Sequence, residues 1–251
     1  MDSTMRAHMR RVHSPVRRAL FFLLAGAGAL QAWAQGHCGP ASDDAQVQRG
    51  APVRVSAYPG GKGLRVDADG RRCELQPDGR LTAWALSGPG QPTVLAVATA
   101  APLALTFYSA NLQVLQRVPL RDRTGQPGSP ICTLLVSPQR QSFVAVFSAT
   151  GELWELSYNP LAAEIGVGMV HDFQYREGHF VPGYLNPLRT ALPWNAAAAG
   201  LDAGGHMVQL LSDPNPQRAK ALVIHLDVRK PVPETAHAAE PLRTCQDGSL
   251  L

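Results

Sequence analysis

No apolar run in this chain is long enough to cross a bilayer. The longest, 19–30, has 12 residues, whereas a spanning helix needs about 20. It follows a basic stretch of Arg6, Arg10, Arg11, Arg17 and Arg18 and precedes Ala32-Trp33-Ala34. Basic front, apolar middle and small-x-small end are the parts of a secretory signal peptide, with cleavage expected between Ala34 and Gln35. Cysteine is scarce, and none of the four lies in a CxxC pair or a CxxCH run, which excludes a paired-thiolate zinc site and covalently attached haem c. GxSxG, HExxH and Walker sequences are missing, so nothing argues for a serine hydrolase, a zincin or a P-loop enzyme. A sustained 3.6-residue hydrophobic period is missing too, which argues against a helical domain.

The basic charge is local. The leader holds five of the 23 basic residues and one of the 19 acidic ones, leaving 18 of each sign in residues 35–251. A neutral mature chain offers no electrostatic footprint for nucleic acid or an anionic membrane, and no membrane span is expected after cleavage. The reading is of an exported bacterial protein, periplasmic or secreted. In an oxidising compartment Cys38, Cys73, Cys132 and Cys245 could form one or two disulfides, with three full connectivities open.

Three segments follow: 1–34 as signal peptide, 35–50 as a small, polar, flexible lead-in, and 51–251 as the folded domain. Within the domain short apolar or alternating runs are broken by Asp69-Gly70, Asp78-Gly79, Thr124-Gly125 and Thr150-Gly151. That is the strand-and-turn signature of an all-β protein. Only the Ala-rich 195–199 suggests a helical turn. A weak repeat recurs at 63–86, 133–158 and 200–228, each unit reading strand, turn, strand, turn, strand. Units of this length with several short strands are how propeller blades look in sequence. A β-sandwich spaces its strands alike, and periodicity leaves both architectures open.

Between Tyr158 and Gly200 runs NPLAAEIGVGMVHDFQYREGHFVPGYLNPLRTALPWN (159–195). A connection this long without regular structure is uncommon unless functional or disordered, and five aromatic residues argue against disorder. The stretch gathers His171, Asp172, Arg176, His179, Tyr184 and Arg189. Flat apolar faces, imidazoles and guanidinium groups suit a large, flat, anionic ligand: Arg pairs with carboxylates, and His moves protons or ligates metal.

GELWELSY (151–158) followed by MVHDFQYREGHFVPGYLNPLRT (169–190) resembles the haem d1 propeller family, which includes cytochrome cd1 nitrite reductase and the haem d1 biosynthetic propeller protein. The likeness is strongest over 130–195. It implies a partial β-propeller with about four to five blades' worth of chain, where the family has eight, and so a truncated member. It also implies non-covalently bound haem d1. His171 matches the family's distal histidine, which helps deliver protons, and Asp172 would orient that imidazole. His171, Arg176, His179, Tyr184 and Arg189 are the expected cofactor-binding set. The chain also departs from the family. Pro138 stands at the place of the reductase's second distal histidine, and 57–75 holds no histidine for a proximal ligand. No metal site is assigned.

Three readings follow. The first is an exported protein that binds haem d1 or its precursor in tetrapyrrole metabolism linked to denitrification; if active, it would be an oxidoreductase acting on or through haem d1. The second is a degenerate propeller serving as a protein-interaction scaffold, its partner another propeller or a second copy that closes the ring. The third, a nitrite reductase in its own right, is weakened by the missing ligands and electron-donor domain.

Overall fold

Sequence-adjacent strands pair antiparallel to build four successive sheets. The computed structural model describes residues 36–40, 53–58, 62–68, 70–167, 179–233 and 242–245, all within one unit spanning 32–251. Sheet I holds β1 (Gly36–Pro40), β2 (Arg54–Ala57), β3 (Leu64–Ala68) and β4 (Arg71–Leu75), in the order β1-β4-β3-β2. Sheet II is the meander of β5 (Leu81–Leu86), β6 (Val94–Ala100), β7 (Leu103–Ser109) and β8 (Val114–Pro119). Then come β9 (Ile131–Ser137), β10 (Ser142–Phe147) and β11 (Glu152–Ser157), and a separate ribbon of β12 (Ile165–Val167) with β13 (His179–Val181). Strand β14 (Pro187–Ala191) returns to pair with β11 and completes sheet III. Sheet IV runs through β15 (Ala198–Leu201), β16 (Met207–Leu211), β17 (Ala221–His225) and β18 (Lys230–Val232), and β19 (Arg243–Thr244) is added on β15. The described residues contain no α-helix.

Three hydrophobic clusters join the four sheets, one between each consecutive pair. Leu64, Val66 and Leu75 meet Leu81, Leu95 and Val97 between I and II. Phe107 and Val94 meet Phe143, Trp154 and Tyr158 between II and III. Val144, Val146 and Leu153 meet Val208, Leu210 and Ile224 between III and IV. Sheets that stack face to face, each built around an antiparallel meander, are propeller blades. The architecture is an all-β partial propeller of four blades.

Position in the stack explains each strand's pattern. Sheet III is covered on both faces, so every residue of β10 is buried, and a strand buried on both sides reads as a continuous apolar run. Sheet I comes first and alternates: Leu64 and Val66 point inward, while Arg65 and Asp67 share the opposite face with Arg72 and Glu74.

Several sequence expectations are corrected here. Residues 36–40 of the expected lead-in form β1, because β4 has a free edge to pair with; the register sets Cys38 opposite Cys73, and Cys73 is disulfide-bonded. The unit 63–86 straddles two blades, since β3 and β4 close sheet I and β5 opens sheet II. The Ala-rich 195–199 makes no helical turn; it leads into β15, where Ala198 and Ala199 are fully buried and tertiary packing overrides alanine's helix propensity. Strand β8 begins at Val114, after Leu112 adopts a left-handed turn conformation (φ 57°).

Candidate functional site

The inner strands β5 and β9 lie side by side, with β15 and β19 beside β9. They line a cavity of about 610 Å³, bounded by Ala57, residues 82–86, Cys132, Thr133, Leu134, Val136, Arg243 and Thr244. That volume falls within the range of about 300–1,000 Å³ typical of small-molecule sites. Alternation along β5 sends Ala83 and Ala85 into the core between II and III, and the small side chains let the two inner strands approach. Trp84 packs against the I/II core and also lines the cavity. The hydroxyl of Thr82 is buried there without a hydrogen-bond partner.

A groove of about 310 Å³ adjoins this cavity and shares Arg243 with it. Its walls include Pro138 and Gln139 of the β9–β10 turn and Asp202 and Gly205 of the β15–β16 turn. The two turns interlock: Ser137 Oγ donates to Gly205 O at 2.9 Å, and a Cβ on Gly205 would lie 2.3 Å from that hydroxyl. Tyr158 N donates to Gln141 O at 2.8 Å, so the chain leaves β11 for the insertion beside this same turn. The insertion's base is closed by Gly183, where a Cβ would stand 1.9 Å from Ala163 O.

Within the insertion, 159–186 holds the β12–β13 ribbon and β14 follows at 187–191, where the sequence suggested no regular structure. His171, Asp172 and Arg176 lie outside the described residues; in sequence they fall between β12 and β13. His179 is exposed at the start of β13, opposite Val167. Tyr184 is half-buried against the core between II and III, and burial pushes its phenol pKa up. Arg189 sits on β14, 4.4 Å over the Trp154 ring and 3.8 Å from the Glu152 carboxylate. Trp154 and Tyr158 are fully buried.

A second polar cluster, not foreseen from the sequence, seams sheets III and IV at the same end of β11. Glu155, 7 % exposed, accepts from Arg140 Nε at 2.8 Å, from Ser142 Oγ at 2.9 Å and from Arg229 of the β17–β18 turn. Arg140 also pairs with Asp227, which has His206 Nδ1 at 3.5 Å and His225 Nδ1 at 3.7 Å. The hydrogen bond from Arg140 holds the Asp227 carboxyl below its ordinary 3.8, against partial desolvation and with help from the charges of Arg140, His206 and His225. Such a group stabilises the fold above the unfolded carboxylate pKa, and that stability is lost as pH falls through the lower folded value. The urea midpoint of the wild type should therefore fall more steeply below about pH 4 than that of Asp227→Asn; parallel curves would refute the coupling.

No protein-family model matches the chain, and no curated protein does. Among solved structures the chain is similar to dihydro-haem d1 dehydrogenase NirN in complex with DHE, at 20% identity and a TM-score of 0.54, over 72% of this chain and 34% of that one. It also matches the Kuenenia stuttgartiensis hydrazine synthase (10% identity, TM-score 0.44, 76% of this chain and 51% of that one). A functionally unknown protein from Desulfotomaculum acetoxidans follows (11%, TM-score 0.37, 69% and 56%). The class is thus a partial propeller with a haem d1 propeller-like fold. The chain spans about a third of the length of the NirN structure it matches.

Proposed function

We propose that this protein is exported and binds haem d1 or its precursor, without covalent attachment, in the cavity lined by the inner strands. One observation carries the reading: the groove that adjoins the cavity is walled by the β9–β10 turn, beside which the chain leaves β11 for the insertion that bears His171 in its sequence. The solved NirN structure, similar in fold, is a complex with DHE. The residues present fit a flat tetrapyrrole: Trp84 offers a ring face, Ala57 and Ala83 leave room, and the Thr82 hydroxyl lacks a protein partner. When bound, the group would supply redox chemistry at its macrocycle and iron. The chain's own part would be to shape the cavity, with His171, Asp172, Arg176 and His179 of the insertion supplying the polar groups proposed to meet the ligand. His171 would hold or move a proton, its tautomer set by Asp172.

Titration of the purified exported chain with haem d1, followed by visible absorbance, tests this. Saturable binding is expected, weakened about tenfold or spectrally shifted in His171→Ala, a loss of about 1.4 kcal/mol. A folded, monodisperse protein that takes up no haem d1 would sink the reading and leave the role of interaction scaffold.

A further inference from the structure

We propose that Arg243, clasped in place by the Cys132–Cys245 disulfide, anchors a carboxylate of a flat anionic ligand in the inner-strand cavity. This rests on the ligand class proposed above and adds a residue and a device that the insertion does not contain. Strand β19 is only two residues long, pairing Ala198 with Thr244 and Ala199 with Arg243. One further bond, Cys245 N to Ala197 O at 2.7 Å, extends it. So short a pairing has little hold of its own, since an isolated strand pair is marginal even when longer. The disulfide supplies the hold, tying Cys245 to Cys132 on β9 across 113 residues of sequence.

The position so held is unusual in this fold. At the inner edge of sheet IV, β15 is covered by β19, whose Arg243 lines both the cavity and the groove. One guanidinium nitrogen donates to Leu134 O at 3.2 Å, which orients the group along β9; among the described residues its other donors have no hydrogen-bond partner. Arg243 is exposed at the mouth of the cavity and no carboxylate among the described residues pairs with it, whereas the less exposed Arg140, Arg189 and Arg229 each have one. In the same cavity the Thr82 hydroxyl is buried and unpartnered. A fork of cationic donors, an orphan hydroxyl and the Trp84 face make one complementary set for a planar carboxylate-bearing molecule. A dithiol that reduced Cys132–Cys245 would deliver two electrons and two protons, giving two thiols and closing its own disulfide. It would thereby untether Arg243.

The test uses the oxidised, exported chain and three probes: haem d1, a metal-free dicarboxylic porphyrin, and that porphyrin's dimethyl ester. Occupancy is read by visible absorbance and by quenching of Trp84 fluorescence, with Trp84→Phe as control. Arg243→Ala should weaken the dicarboxylic porphyrin at least about tenfold, Arg243→Lys should retain part of the affinity, and the ester should bind wild type and Arg243→Ala alike. Cys132→Ser with Cys245→Ser should resemble Arg243→Ala although the arginine is present. Equal affinity of wild type and Arg243→Ala for the acid overturns the anchor, and a double cysteine variant that binds like wild type overturns the clasp. Should the double variant not fold, Arg243→Ala alone decides the anchor, and wild type treated with a dithiol while still folded decides the clasp. Haem d1 bound equally by wild type and Arg243→Ala removes the anchor and leaves the haem d1 reading standing. Arg243-dependent porphyrin binding without haem d1 binding does the reverse.

Discussion

Trp154→Ala is expected to lower the unfolding free energy by about 4 kcal/mol, within the range for deleting a buried indole. The side chain is fully buried between sheets II and III. Its ring meets Phe147 edge-on at 4.7 Å and carries the Arg189 guanidinium at 4.4 Å. Its Nε1 donates to Glu152 Oε2 at 2.8 Å. Truncation therefore opens a cavity and deprives a carboxylate that is 4 % exposed of a donor, leaving Arg123 at 3.5 Å and Arg189 at 3.8 Å to hold it. Trp154→Phe keeps most of the packing and loses the hydrogen bond, so it should cost clearly less. Urea unfolding followed by circular dichroism measures both. A loss below about 1 kcal/mol for the alanine variant, within the range of a surface change, would show that this seam does not depend on the indole.

Glu155→Ala should cost about 3 kcal/mol, the lower end of the range for breaking a buried ion pair. Removing the carboxylate leaves Arg140 and Arg229, with side chains 16% and 21% exposed, facing each other across the III/IV seam. The figure is held to the lower end because Asp227 still pairs with Arg140 and both arginines reach some solvent. The Arg229 backbone is left-handed (φ 57°), a conformation a non-glycine residue keeps only when its surroundings hold it. Once Glu155 is gone, Arg229→Ala should add little, because the pair acts as a unit. Additive losses from the two single substitutions would show that the residues do not interact.

Both predictions concern the ELWEL run, which shows how far the sequence could be read. The alternation of β11 puts Glu152, Trp154 and Leu156 toward sheet II, and Leu153 and Glu155 toward sheet IV. A strand carrying two glutamates among apolar residues reads as a strand, and its repeat with neighbouring turns reads as a blade. Nothing in the run says that each carboxylate is buried. That depends on arginines at positions 123, 189 and 229, in other strands or connections, which only the stacking of blades brings within reach.

The insertion divides in the same way. Its composition marked it as the functional segment, and Tyr184 and Arg189 were read with the histidines as one ligand-binding set. The structure seats Tyr184 against the II/III core and Arg189 over Trp154 on the outermost strand of sheet III. Whether the expected set converges on a ligand turns on His171, Asp172 and Arg176, which the titration addresses. Arg243 carried no sequence signal at all: a single arginine two residues before a cysteine, far from every repeat.

The amino-acid order alone determined that this chain is all-β, that its strands fall into blade-like units, and that residues 159–195 interrupt them. Those properties are written in local alternation, turn residues and composition, which act over a few residues. Tertiary structure alone decided which units close into a sheet, that β1 and β19 join sheets across long stretches of chain, and that Cys132 pairs with Cys245. It also decided that Trp84, Thr82 and Arg243 share one cavity. Each of these is a meeting of residues distant in sequence, selected by the burial of complementary faces, and no local pattern encodes the partner.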